Sequence, residues 1–84
     1  MPKIVGLTNY QKAEGKIEKC REWIEGRRHI RHLTQAQLGR EIKVNQSCMA
    51  KKLGGTSELT LREFITIINS LDAEDDEILR MVKL

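Results

Sequence analysis

Gln46, Ser47 and Lys51 are the side chains of this sequence best suited to chemistry, and the chemistry they suit is recognition through hydrogen bonds. At helical spacing the three share one face, and Ala50 adds no bulk between them. An amide donates and accepts, a hydroxyl does either, and an ammonium only donates. Such a set can address base edges in a major groove wide enough for one helix, with paired bonds from Gln to adenine, a bond of either sense from Ser, and a reach from Lys to guanine.

Bond-breaking chemistry finds no comparable set. Cys20 and Cys48 stand in no motif that supplies a base, and the acidic run from Asp72 to Glu77 reads as the start of a helix, not as paired acids. No glycine loop of the phosphate-cradling kind occurs. Cys20, His29, His32 and Cys48 have the donor types zinc favours, but Cys48 is expected to point outward from its helix while Cys20 points into the core. The sequence therefore implies no enzyme, no cofactor, no metal and no small-molecule substrate.

The elements that must position Gln46, Ser47 and Lys51 are helices. Three aromatic residues and one proline in 84 residues leave little from which to build a sheet, so an all-α fold of five helices is expected, in one domain over residues 1–84. Thr8 and Gln11 match a capping box ahead of Ile17, Cys20, Trp23 and Ile24, which predicts a first helix ending near Arg31. Thr34 and Gln37 repeat the box and predict a second helix from Gln35 to about Ile42. Asn45 caps a third from Gln46 to about Leu53, closed by Gly54 and Gly55. Thr60 and Glu63 open a fourth, with Leu61, Phe64, Ile65, Ile68 and Leu71 as its apolar stripe. The acidic run opens a fifth, with Ile78, Leu79 and Val82 inward.

Between the second and third helices, Leu38, Ile42, Val44 and Met49 are spaced to share one apolar contact, and Gly39 lets the backbones approach. Charge is sorted along the chain. Residues 1–57 carry 12 Lys and Arg against 5 Glu, and residues 58–84 carry 3 against 7, within a total of +3. A basic front and acidic back would orient the molecule on a polyanion. No apolar run approaches a membrane span, and MPKIVGLTNY lacks the core of a secretory signal, so a cytoplasmic protein with two free thiols is expected.

The stretch LTQAQLGREIKVNQSCMAKKL, residues 33–53, resembles the helix-turn-helix of phage repressors and Cro proteins, the lambda-repressor-like family, and TLREFITIINSL resembles the helix that follows in phage regulators of Gram-positive type. The likeness covers about residues 30–82, with the motif at about 34–53. It implies a sequence-specific regulator of transcription that inserts the 46–53 helix into the major groove of double-stranded operator DNA. It further implies that Gln35 holds a phosphate and braces Gln46, that Asn45, Gln46, Ser47, Ala50 and Lys51 lie at the DNA, and that Thr56 and Ser57 lie along its backbone. Lys43 replaces the usual turn glycine, His32 replaces a common glycine before Leu-Thr-Gln, and Lys52 stands where many members bury an aliphatic residue beside which Leu53 can serve. One helix covers few base pairs, so a homodimer is expected, paired through Met81, Val82 and Leu84 or through Ile4 to Leu7. The alternative use of the same surface is a protein-binding module such as an antitoxin or anti-repressor.

Overall fold

Threonine side chains set the starts of three helices in the computed structural model, which describes residues 8–83. Thr8 opens α1 (Asn9–Ile30), Thr34 opens α2 (Gln35–Glu41) and Thr60 opens α4 (Leu61–Ser70). In each, the threonine Oγ1 accepts from the third backbone N–H of the helix at 3.0–3.1 Å, and the Gln or Glu there accepts from the threonine N–H in return. Asn45 caps α3 (Gln46–Gly54) with its Oδ1 2.8 Å from the Cys48 nitrogen. The acidic run enters α5 (Asp75–Lys83), where Asp75, Asp76 and Glu77 occupy the first turn. Among the described residues no strand is present, and no helix is long and apolar enough to cross a membrane.

The helix ends follow one pattern. After α1, α2, α3 and α4, residues 32, 43, 55 and 72 take left-handed backbone, with φ of 57°, 62°, 88° and 54°. In each case that residue's N–H reaches the carbonyl three back, and the next N–H reaches the carbonyl five back, as from Val44 to Gly39 at 3.0 Å. These are Schellman closures. Glycine occupies only one of the four positions, at Gly55; Gly54, expected to help end α3, is still helical. After His32, Lys43 and Asp72 the chain places an apolar residue (Leu33, Val44, Ala73) and then begins the next helix, so three of the four connections share one construction.

Left-handed backbone costs a lysine roughly 1–2 kcal/mol, part of which glycine returns through the larger entropy of its unfolded chain. Lys43→Gly is therefore expected to stabilise the protein by about 0.5–1 kcal/mol. A rise of several degrees in the melting midpoint checks this, and an unchanged or lower midpoint contradicts it.

Two apolar clusters hold the helices. Ile24, Leu38, Met49, Leu53, Ile67 and Leu71 form the main core from α1 to α4, with Trp23, Leu33, Ile42, Val44, Leu59 and Phe64 packed around it. Cys20, Ile68 and Met81 form a second cluster that fixes α5 on α1 and α4. Several expectations about which side faces inward change here. Ile67, outside the expected stripe of α4, is fully buried, whereas Leu61 and Ile65 are exposed. In α5 the inward residues are Met81 and part of Ile78, with Leu79 and Val82 outside. Ile17 of α1 is also exposed.

Polar contacts complete the arrangement. Glu77 accepts from the Glu74 N–H at 2.9 Å and from the Trp23 Nε1 at 3.2 Å, and pairs with Arg27. The Glu74 N–H is the main reason its carboxyl sits below the usual range; partial burial opposes it, and Arg27 and Trp23 add to it. Arg27 also lies over the Trp23 ring at 4.8 Å and donates to the Leu71 carbonyl at 3.3 Å, so one guanidinium ties α1 to the end of α4 and the start of α5.

Candidate nucleic-acid interface

Met49 and Leu53, buried in the main core, fix the rotation of α3 about its axis. Gly39 makes the close seating possible, since a Cβ there would lie 2.9 Å from the Val44 oxygen and 3.2 Å from the Met49 Cβ. The opposite face of α3 is turned out by the same geometry: Gln46, Ser47, Cys48, Ala50 and Lys51 are all exposed. None of these residues is acidic, and Ala50 keeps the centre of the face low.

The other sequence-predicted residues lie around this face in different situations. Gln35, the first residue of α2, is half-buried; among the described residues no hydrogen bond joins it to Gln46, so the expected brace between them is not formed here. Asn45 accepts the Cys48 N–H with its carbonyl oxygen at the α3 cap, and its amide group adds two donors. The N–H groups of Thr56 and Ser57 both donate to the Lys51 carbonyl, at 2.9 and 3.1 Å; Thr56 is exposed and Ser57 half-buried.

Electrostatics sort the cations into two groups. The arginines near the end of α1 form a conspicuous basic run in the sequence, yet they are engaged internally: Arg27 with Glu77, Arg28 with Glu25 at 2.6 Å and the Leu33 carbonyl at 2.8 Å, Arg31 with Asp72 at 2.9 Å. Lys52 is engaged too, 3.0 Å from Glu63 and donating to the Glu58 carbonyl at 3.0 Å. Glu63 is held below the usual carboxylate range first by the Thr60 N–H, with burial opposing and Lys52 assisting. By contrast Arg40, Lys43 and Lys51, spread over α2, the turn and α3, have no carboxylate within 4 Å among the described residues, and Glu41 is the one acidic residue between residues 34 and 57. Sequence reasoning missed the pairings of Lys52 and Arg27, because each joins residues distant along the chain.

The remaining candidate chemistry is not brought together. Cys20 lies in the second core cluster, where burial pushes its thiol up against the opposing pull of Arg21, while Cys48 is exposed on α3. Among the described residues no group of three or more His, Cys, Asp or Glu is placed to hold a metal ion. Comparison of the chain with protein families, with curated proteins and with solved structures found no match.

Proposed function

We propose that the α2–α3 pair is a helix-turn-helix of lambda-repressor-like type and that the protein regulates transcription by binding operator DNA sequence-specifically, as phage or prophage repressors and Cro-like proteins do. The observation that carries this reading is the outer face of α3, where Gln46, Ser47, Ala50 and Lys51 stand free of apolar burden and of acidic neighbours while Met49 and Leu53 lock the helix from behind. Residues 46 to 51 span about 7.5 Å of helix, which matches two to three base pairs of rise. Gln46 and Ser47 supply adaptable donors and acceptors, Lys51 a donor for guanine, and the hydroxyls of Thr56 and Ser57 contacts to phosphate. Lys51, Lys43 and Arg40, in no ion pair among the described residues, supply attraction to phosphate. The target is cytoplasmic double-stranded DNA, and two copies supply enough contacts for specificity. On this reading the protein is not an enzyme and needs no cofactor.

Selection of bound sites from a random DNA pool tests the proposal, together with the salt dependence of the selected site's affinity. Affinity falling steeply with salt and a defined, two-fold symmetric site are expected; a salt-independent or absent interaction would overturn the reading. Gln46→Ala is expected to leave the melting midpoint in place, since the side chain is exposed, and to remove about 1–3 kcal/mol of discrimination at one base position per half-site. An unchanged sequence preference would remove Gln46 from its assigned role.

A further inference from the structure

Several of the apolar residues that the two cores leave outside gather in one place, while Ile30 stands apart at the end of α1. The first half of α1, the segment after α3, the start of α4 and the end of α5 enclose a groove of about 510 Å³ lined by Ala13, Ile17, Leu59, Leu61, Phe64 and Val82. Ile65 stands one turn after Leu61 on α4, and Leu79 one turn before Val82 on α5, so both continue the same faces. Met81, one of the expected dimer contacts, is buried beneath this surface; Leu84 and the segment Ile4 to Leu7 lie outside the described residues.

We infer that this groove is where a second copy of the chain docks, making the homodimer isologous through α1, α4 and α5. The inference takes its purpose from the DNA-reading role of α3 but not its chemistry. Leu61 is 74% exposed, Leu79 53%, Val82 46%, Ile65 45% and Ile17 42%. Together the five leave on the order of 500 Å² in water, of which Leu61, Val82 and Ile17 at the groove itself supply on the order of 300 Å² and Ile65 and Leu79 on the adjoining turns the rest. A two-fold contact covering it on both copies removes about 1,000 Å² before any polar rim is counted, which reaches the size of a specific interface.

The rim favours a copy over other partners. Glu14, Glu58, Lys16 and Arg21 all line the groove, Arg21 also pairing with Glu18 on α1, and a lining that carries both signs can pair with itself under a two-fold rotation. A polyanion or an acidic membrane surface would be met by one sign. Leu61, the most exposed of these apolar side chains, lines the recess and is accessible to a partner copy. The groove also includes Gly55 and Ser57, directly after α3, so a partner seated there fixes the separation of the two recognition faces.

The test is self-association of the full chain by analytical ultracentrifugation over a range of concentrations, without DNA. The unmodified protein is expected to dimerise. Leu61→Glu and Val82→Glu, both at exposed positions, are expected to stay folded by circular dichroism and to be monomeric at concentrations where the parent is dimeric; Ile30→Glu, at a 72% exposed position at the other end of α1, is expected to remain dimeric. Dilution-dependent shifts of the Ile17, Leu61 and Val82 methyl resonances in the unmodified protein give the same result without a substitution. Dimers that persist in both groove variants, dissociation by Ile30→Glu alone, or a parent that stays monomeric would overturn the inference. A monomeric parent that begins to associate when Ile4 and Leu7 are changed to Asp would place the chain's own first residues in the groove, and would overturn it equally. A dimer that binds no DNA supports this inference and sinks the DNA reading; a monomer that binds DNA specifically does the reverse.

Discussion

Gly39→Val is expected to abolish the seating of α3 on α2 and with it any activity of the α3 face. Gly39 is buried in the middle of α2, and a single Cβ there already falls 2.9 Å from the Val44 oxygen and 3.2 Å from the Met49 Cβ. Neither neighbour can yield alone. The Val44 backbone is held by its N–H bond to the Gly39 carbonyl and follows the left-handed Lys43, and Met49 is fully buried in the main core. With alanine, the gain in helix propensity of about 1 kcal/mol offsets part of an overpacking cost of about 1–3 kcal/mol, so a modest loss results. Valine forfeits most of that gain, adds two further carbons to the same contact and restricts its own rotamer, so the loss is about 3 kcal/mol or more. A chain of this length has roughly 4–13 kcal/mol of stability in total, which makes the valine variant largely unfolded or molten on warming. Thermal melts of Gly39→Ala and Gly39→Val, followed by circular dichroism, check the order. A valine variant that melts with the parent would mean that α2 and α3 do not approach as closely as described.

What the sequence made legible divides along physical lines. The starts of α1, α2, α3 and α4 were readable because a cap is a contract between residues three apart, and Thr8, Thr34, Asn45 and Thr60 all fulfil it as expected. The ends were harder. Lys43 adopts a conformation that its type does not announce and reads locally as a liability, whereas His32 and Asp72 belong to types that visit the left-handed region more readily. What compensates is the pair of backbone bonds in each closure and the apolar residue that follows, whose burial depends on the rest of the fold.

The facing of helices was the least legible feature. The α4 sequence offers apolar residues over an arc of about 160°, and the positions of the helices packed against it decide that Ile67 goes in and Leu61 stays out. The same holds for α5, where Met81 and not Val82 meets Cys20 and Ile68. Lys52 looked misplaced at a position suited to an aliphatic residue, and became intelligible only with Glu63 beside it. The candidate site fared better, because Gln46, Ser47, Ala50 and Lys51 are defined against Met49 and Leu53 within one short helix, and the period of that helix alone separates the two faces. Arg27, Arg28 and Arg31 are free cations in the sequence, and in the fold each finds a carboxylate.

Ile24→Ala should be among the most damaging truncations, and its contrast with Ile17→Ala isolates why. Both residues are isoleucines within α1, so the change in helix propensity and in unfolded-chain entropy is nearly the same for the two substitutions and cancels in their difference. Ile24 is fully buried in the cluster that joins α1 to Leu38 of α2, Met49 and Leu53 of α3, Ile67 of α4 and Leu71 just after it, whereas Ile17 is 42% exposed at the groove. Removing three carbons from the first site leaves a cavity lined by these well-packed neighbours and costs about 2–5 kcal/mol; removing them from the second costs the monomer within about 1 kcal/mol. Urea titrations at concentrations low enough to keep the chain monomeric measure both, and equal losses at the two sites would contradict the assignment of Ile24 to the core. The two variants also separate stability from assembly. Ile24→Ala is expected to lower the folded fraction while the surviving folded molecules still associate, and Ile17→Ala to leave the fold nearly intact while weakening self-association. Such an outcome would make the core that holds α3 from behind and the proposed docking groove independent properties of a single helix.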